Sequence, residues 1–268
     1  MFMRKLERIV RRAICGALVA GVFTLWGVQP SVASGEALTI AAAADLNFAF
    51  KDLVAEFEKK SGTHVKLSLG SSGNFFSQIQ HGAPFDLYFS ADVRYPQKLV
   101  QTGHAVPGSL YRYAVGRIVV WVPTGSPFAV EKIGMEALLD PSIKKVAIAN
   151  PKHAPYGRAA VSALEHFKVY DLVKEKLVLG ENVSQAAQFV ESGAADIGIV
   201  ALSLALAPPM REAGKYWEIP SAAHPPLEQG AVVLTSATNQ RAANAFLEFL
   251  KGSDGKRVMS SYGFVLPE

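Results

Sequence analysis

The sequence predicts an α/β protein of two lobes, each with a mostly parallel sheet, and a ligand cleft between the lobes. Apolar, β-rich runs alternate with helix-period segments along the chain, and the alternation falls into two sets joined by long β-runs. Strand-to-helix turns rich in Gly, Ser and Asn recur at the same end of the strands in both sets, which is where open α/β sheets hold their ligands.

The first 34 of 268 residues stand apart. Arg4, Lys5, Arg8, Arg11 and Arg12 precede an apolar run from about Ala13 to Val28, and Pro30 and the small-residue stretch Ser31-Val32-Ala33-Ser34 follow it. That order is the pattern of a cleaved secretory signal, and the run is short for a membrane span. Cys15, the single cysteine, lies inside it without the Leu-x-Gly/Ala-Cys context of a lipoprotein site, so the mature chain has neither disulfide nor Cys-ligated metal. The signal holds five basic residues and one acid, which leaves 22 basic against 22 acidic from the full chain's 27 and 23. A neutral mature chain offers no basic stripe for nucleic acid or a membrane surface. The expectation is an exported, periplasmic monomer.

The remaining elements follow in order. "ALTIAAA" is a buried strand, and "FAFKDLVAEFEKKSG" places Phe48, Leu53, Val54 and Phe57 on one helical face before Gly62 ends it. "HVKLSLG", "SSGNFFSQIQHG", "FDLYFSA" and "RYPQKLVQTG" continue as strand, helix, strand and helix. Phe75, Phe76, Phe85, Tyr88 and Phe89 fall at helix or strand spacing and are lobe core. "YAVGRIVVWVP" is a long β-run that opens the second set: "IGMEALLD", "KKVAIAN", "YGRAAVSALEHF", "EKLVLG", "VSQAAQFVESG" and "DIGIVALS". After the Pro-rich "IPSAAHPPLE" come a strand, "GAVVLTS", and a final helix, "NQRAANAFLEFLKG". The expected division is a first lobe of residues 35–117 with 230–268 and a second lobe of residues 118–229.

Four strand-to-helix turns have the composition of anion sites: Ala43-Ala44-Asp45, Gly70-Ser71-Ser72-Gly73-Asn74, Pro155-Tyr156-Gly157 and Glu181-Asn182-Val183-Ser184. Each is expected to present free backbone N–H groups at a helix N-terminus, where the dipole favours negative charge. Ser71, Ser72 and Tyr156 add neutral hydroxyl donors, and Gly70 and Gly73 allow close backbone approach. Each turn alone reads equally well as a helix cap or as packing; two in each lobe, at one end of the strands, point to a shared pocket.

From Leu38 onward the chain resembles the periplasmic molybdate-binding proteins, the solute receptors of molybdate ABC transporters, within the type II periplasmic-binding-protein fold. The resemblance is carried by "AAAADL", "GSSG", "HGAPFDLYFSAD", "ANPKHAPYGRAA", "GENVSQA", "GAADIGIVALS" and the terminal "YGFVLP", of which the run at 82–92 is the most specific. It implies a tetrahedral oxyanion, molybdate with tungstate as co-ligand, held by neutral hydroxyls and backbone amides and delivered to a membrane ABC permease, with no cofactor and no bare-cation site. Carried over by position, the hydroxyl after the second strand falls on Ser72, the third turn gives Tyr156, by its hydroxyl or its backbone N–H, and the fourth falls on the N–H of Val183; Ala44, Asp45 and Ser71 complete the expected ligand-binding set. A tyrosine that other members supply falls here on Ala201, so that donor is absent and Tyr156 stands in for it.

The first position, usually Ser, Thr or Asn in such receptors, falls on Asp45. A carboxylate about 4 Å from a dianion is opposed by roughly 8 kcal/mol at an effective dielectric of about 20, enough to erase micromolar binding. Three arrangements relieve the conflict. Asp45 turns away and caps its own helix through the N–H of Asn47 or Phe48. Arg158, Lys152 or His153 from the opposite lobe neutralises it. Or it accepts a hydrogen bond from an oxyanion that still carries a proton, which makes the protein a receptor for a phosphate-like anion.

Rival classes find little support. "GSSGN" is not Gly-x-Ser-x-Gly and no His-Asp set accompanies its serines. His64, His81, His104, His153, His166 and His224 show no metal-ligand spacing. A ligand-sensing half of a transcription regulator requires a helix-turn-helix, which is absent beside an export signal. The reading is therefore a binding protein and no enzyme.

Overall fold

The computed structural model describes residues 37–267; the expected signal peptide lies outside the described residues. Ten strands form two five-stranded sheets. The first, in the order β2-β1-β3-β10-β4, is built from β1 (Leu38–Ala43), β2 (Val65–Gly70), β3 (Leu87–Ser90), β4 (Tyr111–Gly116) and β10 (Leu227–Val233). The second, in the order β7-β6-β8-β5-β9, contains β5 (Ile118–Pro123), β6 (Val146–Ala149), β7 (Leu177–Gly180), β8 (Ile197–Ala201) and β9 (Gly214–Glu218). With helices against both sheets, this is the two-lobed α/β architecture expected.

Both sheets are mixed. β2-β1-β3 and β7-β6-β8 are parallel, and these strands precede the turns of interest. The other two pairings in each sheet are antiparallel, because they involve the strands that carry the chain between sheets. The long β-run read from the sequence is two strands: β4 ends at Gly116 in the first sheet and β5 begins at Ile118 in the second. Arg117 alone spans the step, pinned by its Nη1 to Glu218 Oε1 at 2.9 Å and by its Nη2 to the carbonyl of Gly263 at 2.9 Å. The return is made ahead of β10, which enters the first sheet at Leu227, opposite Gly116.

β3, β6 and β8 are buried at every position and, Ser90 apart, carry no polar side chain but the Tyr88 hydroxyl, because both their faces are covered. Beside β1, the helix Asn47–Ser61 buries Ala49, Phe50, Leu53 and Phe57, and Gly62 ends it at φ 69°. Phe48 and Val54 flank that face, half-buried. Phe50 meets Phe89 edge-on at 4.8 Å and Phe57 meets Phe246 at 5.0 Å, tying β3 and the helix Gln240–Lys251 into one core. Phe75, Tyr88 and Phe89 are buried and Phe76 and Phe85 pack around them, as lobe core. Asp86, 1% exposed, accepts from Thr39 N and Oγ1, both at 2.7 Å, from Thr238 N at 2.8 Å and from Asn239 N at 3.2 Å. The first acid of "HGAPFDLYFSAD", Asp86, is thus a clamp on β1, β3 and the start of the helix Gln240–Lys251. Among the described residues no helix is long and apolar enough to cross a membrane, and no cluster of three or more His, Cys, Asp and Glu could hold a metal.

Candidate functional site

The four turns converge. Ala43, Ala44 and Asp45 after β1, Gly70, Ser71 and Ser72 after β2, Ala154, Pro155 and Tyr156 after β6, and Asn182 and Val183 after β7 line one cavity with Ala91. Its cavity volume is about 10 Å³, room for about one water-sized centre, against roughly 300–1,000 Å³ for sites that hold drug-sized molecules. That is the scale of a small ion and excludes a nucleotide or sugar.

Each turn has a local cause. Ser71, extended at ψ 136°, takes the N-cap position of the helix Ser72–Gln80 without a side-chain cap bond, and Pro155 occupies the first turn of the helix Pro155–His166, where its missing N–H costs nothing. Asn182 caps the helix Val183–Glu191 by accepting from Gln185 N at 3.0 Å. Three helix N-termini, two of nine residues and one of twelve, therefore face the cavity with their positive ends.

The hydroxyls are assigned by what they already hold. Ser72 Oγ accepts from Ala91 N at 3.0 Å, which turns its own proton elsewhere; that proton has no acceptor among the described residues. Ser71 Oγ instead donates to the carbonyl of His153 at 2.7 Å, with the His153 ring Nδ1 at 2.9 Å. The same carbonyl receives Gly73 N at 2.9 Å. Ser71 is thus occupied bridging the lobes, and only its backbone remains for a ligand. Further bridges close the cleft: Ser184 Oγ to Ala44 O at 2.8 Å, Ser203 Oγ to Asp45 O at 2.7 Å, and the amide of Asn74 to Glu181.

Asp45 does not cap its helix. It lies inside a 3-10 turn, Ala44–Leu46, that runs straight into the helix, so it is not at the capping position, and neither segment has a side-chain cap. Among the described residues no cation pairs with it either. Arg158 lies two positions beyond Tyr156, about 200° around the helix, and pairs with Asp92 Oδ2 at 2.7 Å. His153 engages Ser71 and stands 3.6 Å from Glu181 Oε2, and Lys152 is exposed.

The carboxyl, 1% exposed, faces neutral donors instead. Oδ2 accepts the Tyr156 hydroxyl at 3.0 Å and Gln229 Nε2 at 2.7 Å, while Oδ1 is buried without a partner. Burial pushes this carboxyl up to about 6, against the pull of the Gln229 and Tyr156 hydrogen bonds. Burial, and then the Asp45 charge, push the Tyr156 phenol well above its usual value, so it stays neutral and donates. Gln229 Nε2 also lies 3.1 Å from Tyr156 Oη, closing a triangle. Gly116 makes room for it, since a Cβ there would collide with the Tyr156 hydroxyl and the Gln229 amide.

Gln229 and Ser203 were not foreseen. Gln229 sits where the register of β10 against β4 shifts, and such a bulge re-aims a side chain. The available signal was a lone amide inside the strand "LEQGAVV".

Residues 38–265 match the family model for bacterial extracellular solute-binding proteins. The molybdate-binding protein of Rhodobacter capsulatus is 39% identical over 89% of this chain and 92% of its own, and that of Azotobacter vinelandii 39% identical over 90% and 94%. The solved periplasmic molybdate-binding protein of Azotobacter vinelandii superposes with a TM-score of 0.81 at 34% identity, covering 86% of this chain and all of that one. The chain belongs to the bacterial extracellular solute-binding protein family.

Proposed function

We propose that this protein captures molybdate, with tungstate as a co-ligand, in the periplasm and delivers it to a membrane ABC permease, acting as a monomeric receptor and not as an enzyme. The observation that carries this reading is the ion-sized cavity at four converging strand-to-helix turns, lined by neutral donors and faced by three helix N-termini. The backbone of Ala44 and Asp45, the Ser72 hydroxyl with the backbone of Ser71, and the backbone N–H groups of Tyr156 and Val183 hold the oxygens; the metal itself touches no protein atom. Fixed dipoles of this kind select by size, and sulfate is smaller than molybdate. The names of the relatives agree with this ligand. The bridges from Ser71, Ser184 and Ser203 hold the lobes closed, and the closed form is what the permease reads. The N-terminal signal directs export and is removed.

A second reading, a receptor for a phosphate-like oxyanion that carries its own proton, is favoured by one observation, the unpartnered Oδ1 of Asp45. Equilibrium dialysis of residues 35–268 against micromolar molybdate, sulfate and phosphate separates the possibilities. One molybdenum retained per chain with sulfate in excess is the expected result; displacement by sulfate, or no retention, overturns it.

A further inference from the structure

The Asp45 carboxyl is the one group in the cage that a scheme of neutral donors leaves unused. One oxygen, Oδ2, holds both the Tyr156 hydroxyl and the Gln229 amide; the other, Oδ1, is buried and, beyond a weak pull from Asp45's own backbone N–H on the carboxyl, has no hydrogen-bond partner among the described residues. A buried, bare carboxylate oxygen beside a site for a dianion is unfavourable twice, by lost hydration and by repulsion. A proton on Oδ1 removes both costs and turns the free oxygen into a donor, as buried carboxylic acids can be kept neutral in order to donate.

Among the described residues no charged group takes that proton's place. Against the Ala44–Leu46 turn pack the helices Asn47–Ser61, Val183–Glu191 and Leu202–Ala205 and the strand β2. Their charged residues, Lys51, Asp52, Glu56, Glu58, Lys59 and Lys60 on the first, Glu191 on the second and Lys66 on β2, make no hydrogen bond or ion pair with Asp45, and Leu202–Ala205 carries none. From the other elements that reach the carboxyl, Arg158 is taken by Asp92, while Arg112 and Glu228 pair with each other at 3.5 Å. The titratable neighbours Tyr156 and Tyr113 are fully buried, and burial holds both phenols well above their usual value.

We infer that the oxyanion is captured with Asp45 in its neutral acid form, Oδ2 held by Tyr156 and Gln229 and the Oδ1 proton donated to a ligand oxygen, so that binding takes up one proton from solution. The inference rests on the oxyanion reading above. The proton comes from solvent, adds to the carboxylate and leaves the ligand a dianion; no other bond changes. Burial already holds the empty site's carboxyl at about 6, so at neutral pH it is mostly ionised when empty, and a dianion beside it raises it further. Uptake per ligand should then approach one at pH 7.5. Affinity should fall about tenfold for each pH unit above about 6 and level off below it.

The test is calorimetric titration of residues 35–268 with molybdate between pH 6.5 and 8.5, at each pH in two buffers of different ionisation enthalpy, with Asp45→Asn alongside. The expected result is close to one proton taken up by the wild type at pH 7.5 and about tenfold weaker binding per pH unit. Asp45→Asn should take up none, show flat affinity and outbind the wild type at pH 8.5. Tight molybdate binding by the wild type without proton uptake and with flat affinity overturns the inference while sparing the molybdate reading. So does a pH dependence that survives in Asp45→Asn. Phosphate bound by the wild type without proton uptake, and lost in Asp45→Asn, places the proton on the ligand and overturns it too. If neither protein binds molybdate or phosphate, the oxyanion reading itself fails and the inference falls with it.

Discussion

Tyr156, on the second lobe, donates its hydroxyl to Asp45 Oδ2 on the first at 3.0 Å, across 111 residues of sequence. The residue expected to give the ligand a hydroxyl gives it to a carboxylate instead, and offers its backbone to the cavity. The bond makes lobe closure and the charge state of Asp45 two aspects of one contact.

The raised Asp45 value makes a stability prediction with a definite sign. The folded state binds this proton more tightly than the unfolded chain does, so the contribution is full below 3.8 and is lost as pH rises through about 6. At about 1.4 kcal/mol per unit, the loss across that window is about 3 kcal/mol. Asp86 and Asp92, held below the usual range by their hydrogen bonds despite burial, act oppositely and lose stability only in acid. Urea unfolding of ligand-free wild type and Asp45→Asn should show the variant gaining on the wild type as pH rises from 4 to 7.5, by about 2 kcal/mol. A pH-independent difference contradicts the assignment.

Ser72→Ala removes the one hydroxyl whose proton is free for a ligand and leaves Ala91 N without its acceptor. Losing a hydrogen bond to a charged group costs about 1.5–3 kcal/mol, so molybdate affinity should fall roughly ten- to a hundredfold. An unchanged titration would remove Ser72 from the site.

Ser71→Ala acts on closure. It deletes the bond to the His153 carbonyl but spares Gly73 N on the same oxygen. Small-angle scattering of the ligand-free variant should show a larger radius of gyration than wild type, with molybdate restoring the compact form. Equal radii without ligand would mean that this bridge does not hold the lobes together.

Asp86→Asn tests the clamp apart from the site. A neutral amide cannot accept all five contacts from Thr39, Thr238 and Asn239, and about 3 kcal/mol of stability should be lost, measured by denaturant unfolding. Molybdate affinity should stay within a few-fold of wild type.

The parts of the fold legible in the sequence are those set by local rules. Apolar runs marked β1, β6 and β7, alternation marked β2, and the Gly, Ser and Asn near their ends marked the turns, because caps and tight turns demand those residues. Asn182 caps as its type suggests. What the sequence did not disclose depends on distant contacts. Asp45 obeys donors 111 and 184 residues away in sequence and not its own helix. Ser203 meets Asp45 across 158 residues. The split of "YAVGRIVVWVP" into two strands is hidden because the run keeps its β-character while the chain changes sheet. Arg158 was in the right helix on the wrong face.

The most direct test of the account is a calorimetric titration of residues 35–268 at pH 7.5 with molybdate, with sulfate and phosphate under identical salt. Tight one-to-one binding of molybdate with no heat from the other two is the predicted result. Binding of phosphate with molybdate ignored would contradict it, and would make Asp45 the acceptor of a proton that the ligand brings.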